Sequence, residues 1–209
     1  MPVILIPRSR FRRSGTPRRL FTRGIDTCPA GPYGPTILAN DAGAGTIAWT
    51  NPGNTQLSDD VYATAVTVAQ DTQRLNATGF NFQIDPAGQI NGITVEVEAK
   101  VLVGSETVYV RAIKGGVVSS TRTSGTWSST EGLVVYGSSA NLLGETWTPA
   151  QVNAPDFGVS IRVEDALTNT FSCDFVQVTI ACSVVGRTTK NTRSAPLGEL
   201  VGMGWRGHG

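Results

Sequence analysis

Side chains able to do chemistry are few in this 209-residue chain, and their spacing suits little of it. His208 is the one histidine and falls in the C-terminal tail. A Ser-His-Asp or Cys-His arrangement therefore has no base in the predicted core. Cys28, Cys173 and Cys182 show no metal-type spacing and cannot all pair, so the expectation is reduced thiols, no disulfide framework and assembly inside the cell. Paired carboxylates would suffice for glycoside hydrolysis, and Asp59 with Asp60, or Glu96 with Glu98, are the candidates. Glu96 and Glu98 fall on the polar face of an alternating strand, while Asp59-Asp60 reads as a turn at a strand entrance. Asp59 or Asp60 is also where loop oxygens would hold calcium, but no ligand set is legible around them. Gly43-Ala44-Gly45-Thr46-Ile47-Ala48 and Gly202-Met203-Gly204-Trp205-Arg206-Gly207 imitate a dinucleotide fingerprint. Asn51-Pro52-Gly53 stands where the first would need a helix, and two residues follow the second, so neither predicts a phosphate cradle. The expectation is a protein that is not an enzyme, with no catalytic residue, cofactor or metal.

The elements that would position these groups are strands. Ile93, Val95, Val97, Ala99, Val101 and Val103 alternate with Thr94, Glu96, Glu98 and Lys100, the longest period-two pattern in the chain. Phe80, Phe82 and Ile84 alternate with Asn81 and Gln83, and Val108 and Val110 precede the Gly115-Gly116 stop. Leu133 to Tyr136, Phe157 to Val163 and Phe175 to Cys182 give three further strands. One helical turn is expected, with Thr148 as N-cap and Pro149 at the first helical position. Seven or eight such strands predict an all-β fold, a two-sheet antiparallel β-sandwich that is jelly-roll-like, with extended N- and C-terminal arms. Phe80, Phe82, Val95, Val97, Val159, Ile161, Val176 and Val178 should line the layer between the sheets, with Trp49, Trp127 and Trp147 capping it.

Charge divides the chain more sharply than any motif. Residues 1–24 hold Arg8, Arg10, Arg12, Arg13, Arg18, Arg19 and Arg23 with no acid, and residues 187–209 hold four cations against Glu199. Those segments carry +7 and +3, so the net +1 of the whole leaves −9 on the middle, where six cations face fifteen acids. The reading is a basic, Pro- and Gly-rich arm over 1–45, a sandwich domain over 46–185 and a Gly-rich basic arm over 186–209, both arms too poor in periodic apolar residues to fold alone. No apolar run approaches the roughly 20 residues that span a bilayer, so no membrane partner is expected. Val3, Ile4, Leu5 and Ile6 precede the arginines, the wrong order for an export signal, and Pro7 and Pro17 interrupt any presequence-like helix.

One stretch resembles a known module. Trp49-Thr50-Asn51-Pro52-Gly53-Asn54, Ser58-Asp59-Asp60-Val61-Tyr62-Ala63-Thr64-Ala65 and Leu75-Asn76-Ala77-Thr78-Gly79-Phe80 open it. It continues through Ile90-Asn91-Gly92-Ile93-Thr94-Val95-Glu96-Val97, Lys114-Gly115-Gly116, and Thr146-Trp147-Thr148-Pro149-Ala150-Gln151-Val152-Asn153-Ala154 with Phe157-Gly158-Val159. Together these resemble a β-sandwich module of tailed-bacteriophage structural proteins, over roughly residues 47–184. The resemblance implies a virion component, assembled in the bacterial host cytoplasm, and a scaffold with no catalytic motif.

Partner binding is then assigned to the N-terminal arm. At about 3.3 Å per residue, 24 residues reach roughly 80 Å, enough to touch a neighbouring subunit. Arg8, Arg10, Arg12, Arg13, Arg18, Arg19 and Arg23 would meet the acidic bodies of other virion proteins or of further copies in a homo-oligomer, and Val3, Ile4, Leu5 and Ile6 would add a strand to a neighbour's sheet edge. Nucleic acid is the lesser partner, because Phe11 and Phe21 are the aromatic groups available there for stacking. The expected function is a non-enzymatic structural component of a tailed-phage virion, in a capsid decoration or cement role. A tail, neck or baseplate component is the near alternative. A carbohydrate-binding adhesion module is the other, and it needs Trp127, Trp147 and Tyr136 exposed as a stacking platform for glycan.

Overall fold

Where apolar and polar residues alternate most regularly, the longest ladder forms. A computed structural model describes residues 28–164 and 167–184, and the strands among them are β1 (Ala30–Tyr33), β2 (Ile37–Asp41), β3 (Ala63–Thr67), β4 (Arg74–Thr78), β5 (Gly88–Val101), β6 (Ser105–Lys114), β7 (Val117–Val118), β8 (Thr123–Ser128), β9 (Gly132–Ser138), β10 (Gly158–Val163) and β11 (Asn169–Val184). A 3-10 helix spans Pro52–Gln56, and α1 is the single turn Pro149–Val152. The long strands β5 and β11 pair from Phe171 opposite Val101 to Val184 opposite Gly88, with a break in register between Cys173 and Phe175 and another between Ala181 and Cys182.

Two antiparallel sheets result. One runs β1-β11-β5-β9, with β3 also on β11, and the other runs β2-β4-β10-β6-β7, with β8 also on β6. Each strand turns one face inward, so Val95, Val97, Val176 and Val178 from the first sheet meet Val108, Val110, Val159 and Ile161 from the second, all fully buried. Phe80, Phe82, Phe157 and Trp147 form an edge-to-face aromatic group at one end of this layer. Trp127 lies between Trp49 and Phe171 with both ring centroids 6.3 Å away. Each buried large side chain of this kind contributes about 1.5–3 kcal/mol.

Several expectations need correction. The three tryptophans do not cap the core but sit inside it, at 2%, 0% and 8% exposure for Trp49, Trp127 and Trp147. Each indole N–H keeps an acceptor there: Gln73 carbonyl, Tyr136 hydroxyl and Leu142 carbonyl. Phe80, Phe82 and Ile84 face inward as predicted, yet 80–84 forms no strand, because Asn81 takes the left-handed conformation (φ 57°) and interrupts the extended run, leaving a lone bridge residue at Ile84. Val103 is exposed, since β5 ends at Val101 and the alternation outlives the strand. The sandwich also begins before residue 46. β1 pairs with β11 and β2 with β4, so both lie in the segment predicted as arm. α1 forms as expected: the Thr148 side chain accepts from the Gln151 N–H and the Gln151 side chain accepts from the Thr148 N–H.

Candidate functional site

The sequence's acidic pair does not stand alone. After the 3-10 helix, residues 57–62 cross the outer face of the first sheet, and there Asp59 and Asp60 meet groups contributed from far along the chain. Asp174 is the residue left between the paired positions Cys173–Ala99 and Phe175–Glu98, the extra residue of a β-bulge in β11. A bulge re-aims the side chain it carries. The Asp174 carboxylate accepts the Asp60 N–H at 3.2 Å through Oδ2. It is 1% exposed, and its Oδ1 is buried with no hydrogen-bond partner among the described residues. Burial pushes the Asp174 carboxyl above its ordinary range, Glu98 and Asp59 add to the rise, and the N–H groups of Asp60 and Asp59 oppose it.

Glu131, from the turn between β8 and β9, completes the group. Its Oε2 accepts from the Tyr62 hydroxyl at 2.7 Å and from Lys100 Nζ at 3.1 Å, while its Oε1 is buried with no hydrogen-bond partner among the described residues. Lys100 also donates to the Tyr62 hydroxyl at 2.9 Å, and these two hydrogen bonds, Tyr62 first, hold its ammonium above the usual lysine value. Asp60 Oδ1 lies 3.2 Å from the same hydroxyl. Carboxylate oxygens of Asp60, Glu131 and Asp174 all fall within 4.8 Å of one another. Asp59 Oδ1 accepts the Val61 N–H, and Ser58 Oγ donates to Glu98 at 2.6 Å.

The remaining expected sites fare differently. Arg8, Arg10, Arg12, Arg13, Arg18, Arg19, Arg23, Val3, Ile4, Leu5 and Ile6 lie outside the described residues, as do His208 and the Gly202–Gly207 pattern. Glu96 accepts from Gln177 Nε2 at 2.6 Å across the β5–β11 pair. Gly45 (φ +73°) belongs to a close approach of chains, where a Cβ would collide with the Thr72 carbonyl. Tyr136 and Trp127 are fully buried and hydrogen-bonded to each other at 2.8 Å, and Trp147 is packed against Phe157. The glycan platform proposed for those three rings therefore does not exist on this surface.

The cysteine expectation is overturned. Cys28 and Cys182 form a disulfide, with Cα atoms 5.2 Å apart across a sequence separation of 154. Ala30 pairs with Ile180, and the same antiparallel register carried two residues further sets Cys28 opposite Cys182. Counting cysteines could not reveal that register. Cys173 stays free and buried, and burial pushes its thiol far above the ordinary range, which leaves it a poor nucleophile.

On the second sheet Arg111, Arg122 and Arg162 converge on Glu164, with Arg111 Nη2 2.5 Å from Oε1 and Arg122 against Oε2. Arg162 also reaches Asp71 at 2.8 Å. Burial would raise the Glu164 carboxyl, but the Arg111 hydrogen bond and the three guanidinium charges outweigh it and hold the group below the ordinary glutamate value. This is a paired and structural network.

No protein-family model matches the chain, and no curated protein matches it. A solved structure titled "BiXyn10A CBM1 APO" aligns with 70% of this chain and 98% of its own, at 8% identity and a TM-score of 0.39. A likeness of that size supports no argument about what this chain does.

Proposed function

We propose that the protein is a non-enzymatic structural component of a tailed-phage virion, a decoration or cement subunit whose basic terminal segments bind the acidic bodies of neighbouring subunits. The observation that carries the reading is the charge partition: +7 on residues 1–24 and +3 on residues 187–209 against −9 between them. Several of those acids sit on the outer faces of the sandwich, with Asp59 and Asp60 exposed. A surface of one sign and tails of the other draw copies of the chain together, and together with other virion proteins, without a catalytic group. The resemblance over residues 47–184 to a phage structural module supports the same reading.

Incorporation into particles tests it. Replacing Arg8, Arg10, Arg12 and Arg13 with Gln should reduce the copy number per particle. Raising salt from about 0.1 M to 1 M should mimic that loss in wild type, because the screening length falls from about 10 to 3 Å. Genome-free particles should retain the protein in full. Protein found on DNA-filled particles alone would transfer the partnership to nucleic acid, and normal copy number for the four-Gln variant would end the electrostatic explanation.

A further inference from the structure

We propose that Asp60, Glu131 and Asp174 form a binding site for a hard divalent cation, calcium by preference, that fastens residues 57–62 onto the outer face of the sandwich. Acidic side chains often cluster with no ion among them, so the inference rests on Asp174. A carboxylate at 1% exposure with Oδ1 unpartnered is costly to keep in a folded protein unless something compensates it. The bulge in β11 holds that carboxylate beneath Asp60 and beside Glu131.

Glu131 and Asp174 share a pattern. Glu131 is fixed through Oε2 by Tyr62 and Lys100, and its buried Oε1 has no partner. Asp174 is fixed through Oδ2 by the Asp60 N–H, and its buried Oδ1 has none. Asp60 Oδ1 lies 3.2 Å from the Tyr62 hydroxyl, whose single proton goes to the nearer Glu131 Oε2. Two of the three carboxylates are thus oriented through one oxygen and keep the other buried with no hydrogen-bond partner among the described residues. Lys100 does not take the ion's place, because its ammonium sits on Oε2 of Glu131 and on Tyr62.

Ligand type and arrangement select the ion. All three donors are carboxylate oxygens, which suit calcium and magnesium over metals that want nitrogen or sulfur. Carboxylates brought together from a loop, a turn and a bulged strand make an irregular donor set, which the flexible coordination of calcium accepts more readily than the strict octahedron of magnesium. The ion would join loop 57–62, the β8–β9 turn and strand β11, which are otherwise tied there by a few hydrogen bonds.

Thermal unfolding and calorimetric titration of the full chain test the site, with calcium chloride, magnesium chloride, or sodium chloride at matched ionic strength, after treatment with EGTA. Calcium at about 100 times its dissociation constant should raise Tm by about 5–10 °C for a body of this size. Magnesium should need at least about tenfold more. Asp174→Asn should lose the calcium response and, in EGTA, melt no lower than wild type, since the amide keeps an acceptor for the Asp60 N–H and removes the buried charge. Glu131→Gln, at a less buried position, should weaken calcium binding at least tenfold and guards against misfolding of the first variant. The proposal is overturned if sodium chloride reproduces the shift, if calcium gives neither shift nor heat, or if both variants respond as wild type. Magnesium binding as tightly as calcium would overturn the choice of ion.

Discussion

Breaking the Cys28–Cys182 bridge should destabilise the sandwich as much as the harshest truncation in its core. The bond joins positions 154 residues apart. In the chain-entropy treatment, closing a loop of that length restricts the unfolded chain by about 5 kcal/mol at 25 °C. Domains of this size hold about 5–15 kcal/mol in total, so the bridge is a large share. With about 2–4 °C of Tm per kcal/mol, reduction should lower the melting temperature by about 10–20 °C. The assay is calorimetry of the full chain with and without a phosphine reductant, alongside Cys28→Ser and Cys182→Ser. Each variant should melt like the reduced wild type, and neither should respond to reductant. Thiol titration in guanidinium should find one reactive group, Cys173, before reduction and three after it. Three thiols before reduction in an air-oxidised preparation would refute the bridge. A Tm change under about 2 °C on reduction would refute the loop argument, and would mean that freeing β1 costs its four residues alone.

Two further outcomes follow from the packing and the charges. Phe82→Ala should cost about 3–5 kcal/mol, read as a lower urea midpoint at constant slope, because Phe82 is fully buried between Phe80, Phe157 and Tyr33. The depressed carboxyl of Glu164 contributes stability that is complete above the ordinary glutamate value and is lost as pH falls through its lower folded value, so wild type should weaken more than Glu164→Gln between pH 5 and pH 2 in urea titrations. Parallel acid profiles for the two proteins would contradict that assignment.

The sheets were legible where burial on one face imposes alternation, as in β5 and β11. They were illegible where strands are short, exposed or built from small residues. Ile37–Asp41 buries no residue fully and follows two prolines, so β2 carries no period-two signal. β3 buries Ala63 and Ala65, whose apolar contrast with threonine is slight, and β8 buries Trp127 alone. Of Asp60, Glu131 and Asp174, the sequence singled out Asp60 alone, beside its neighbour Asp59. Asp174 is 114 residues from Asp60 and owes its direction to a bulge, and a bulge is a property of paired strands that neither strand announces by itself. The disulfide escaped for the same reason, since it follows from the register of β1 on β11.

The same bridge has a geometric consequence for whatever the termini bind. Residues 1–27 join the body at Cys28, and residues 185–209 join it just past Cys182, with those two Cα atoms 5.2 Å apart. The two basic segments are therefore attached to the described body at points that the bridge holds side by side. On the proposed reading, a surface that bound one segment would meet the other from an adjacent attachment point, which raises its effective concentration there. Two individually weak grips would then act as one stronger grip, and severing the bridge would free their attachment points from each other without removing a single arginine.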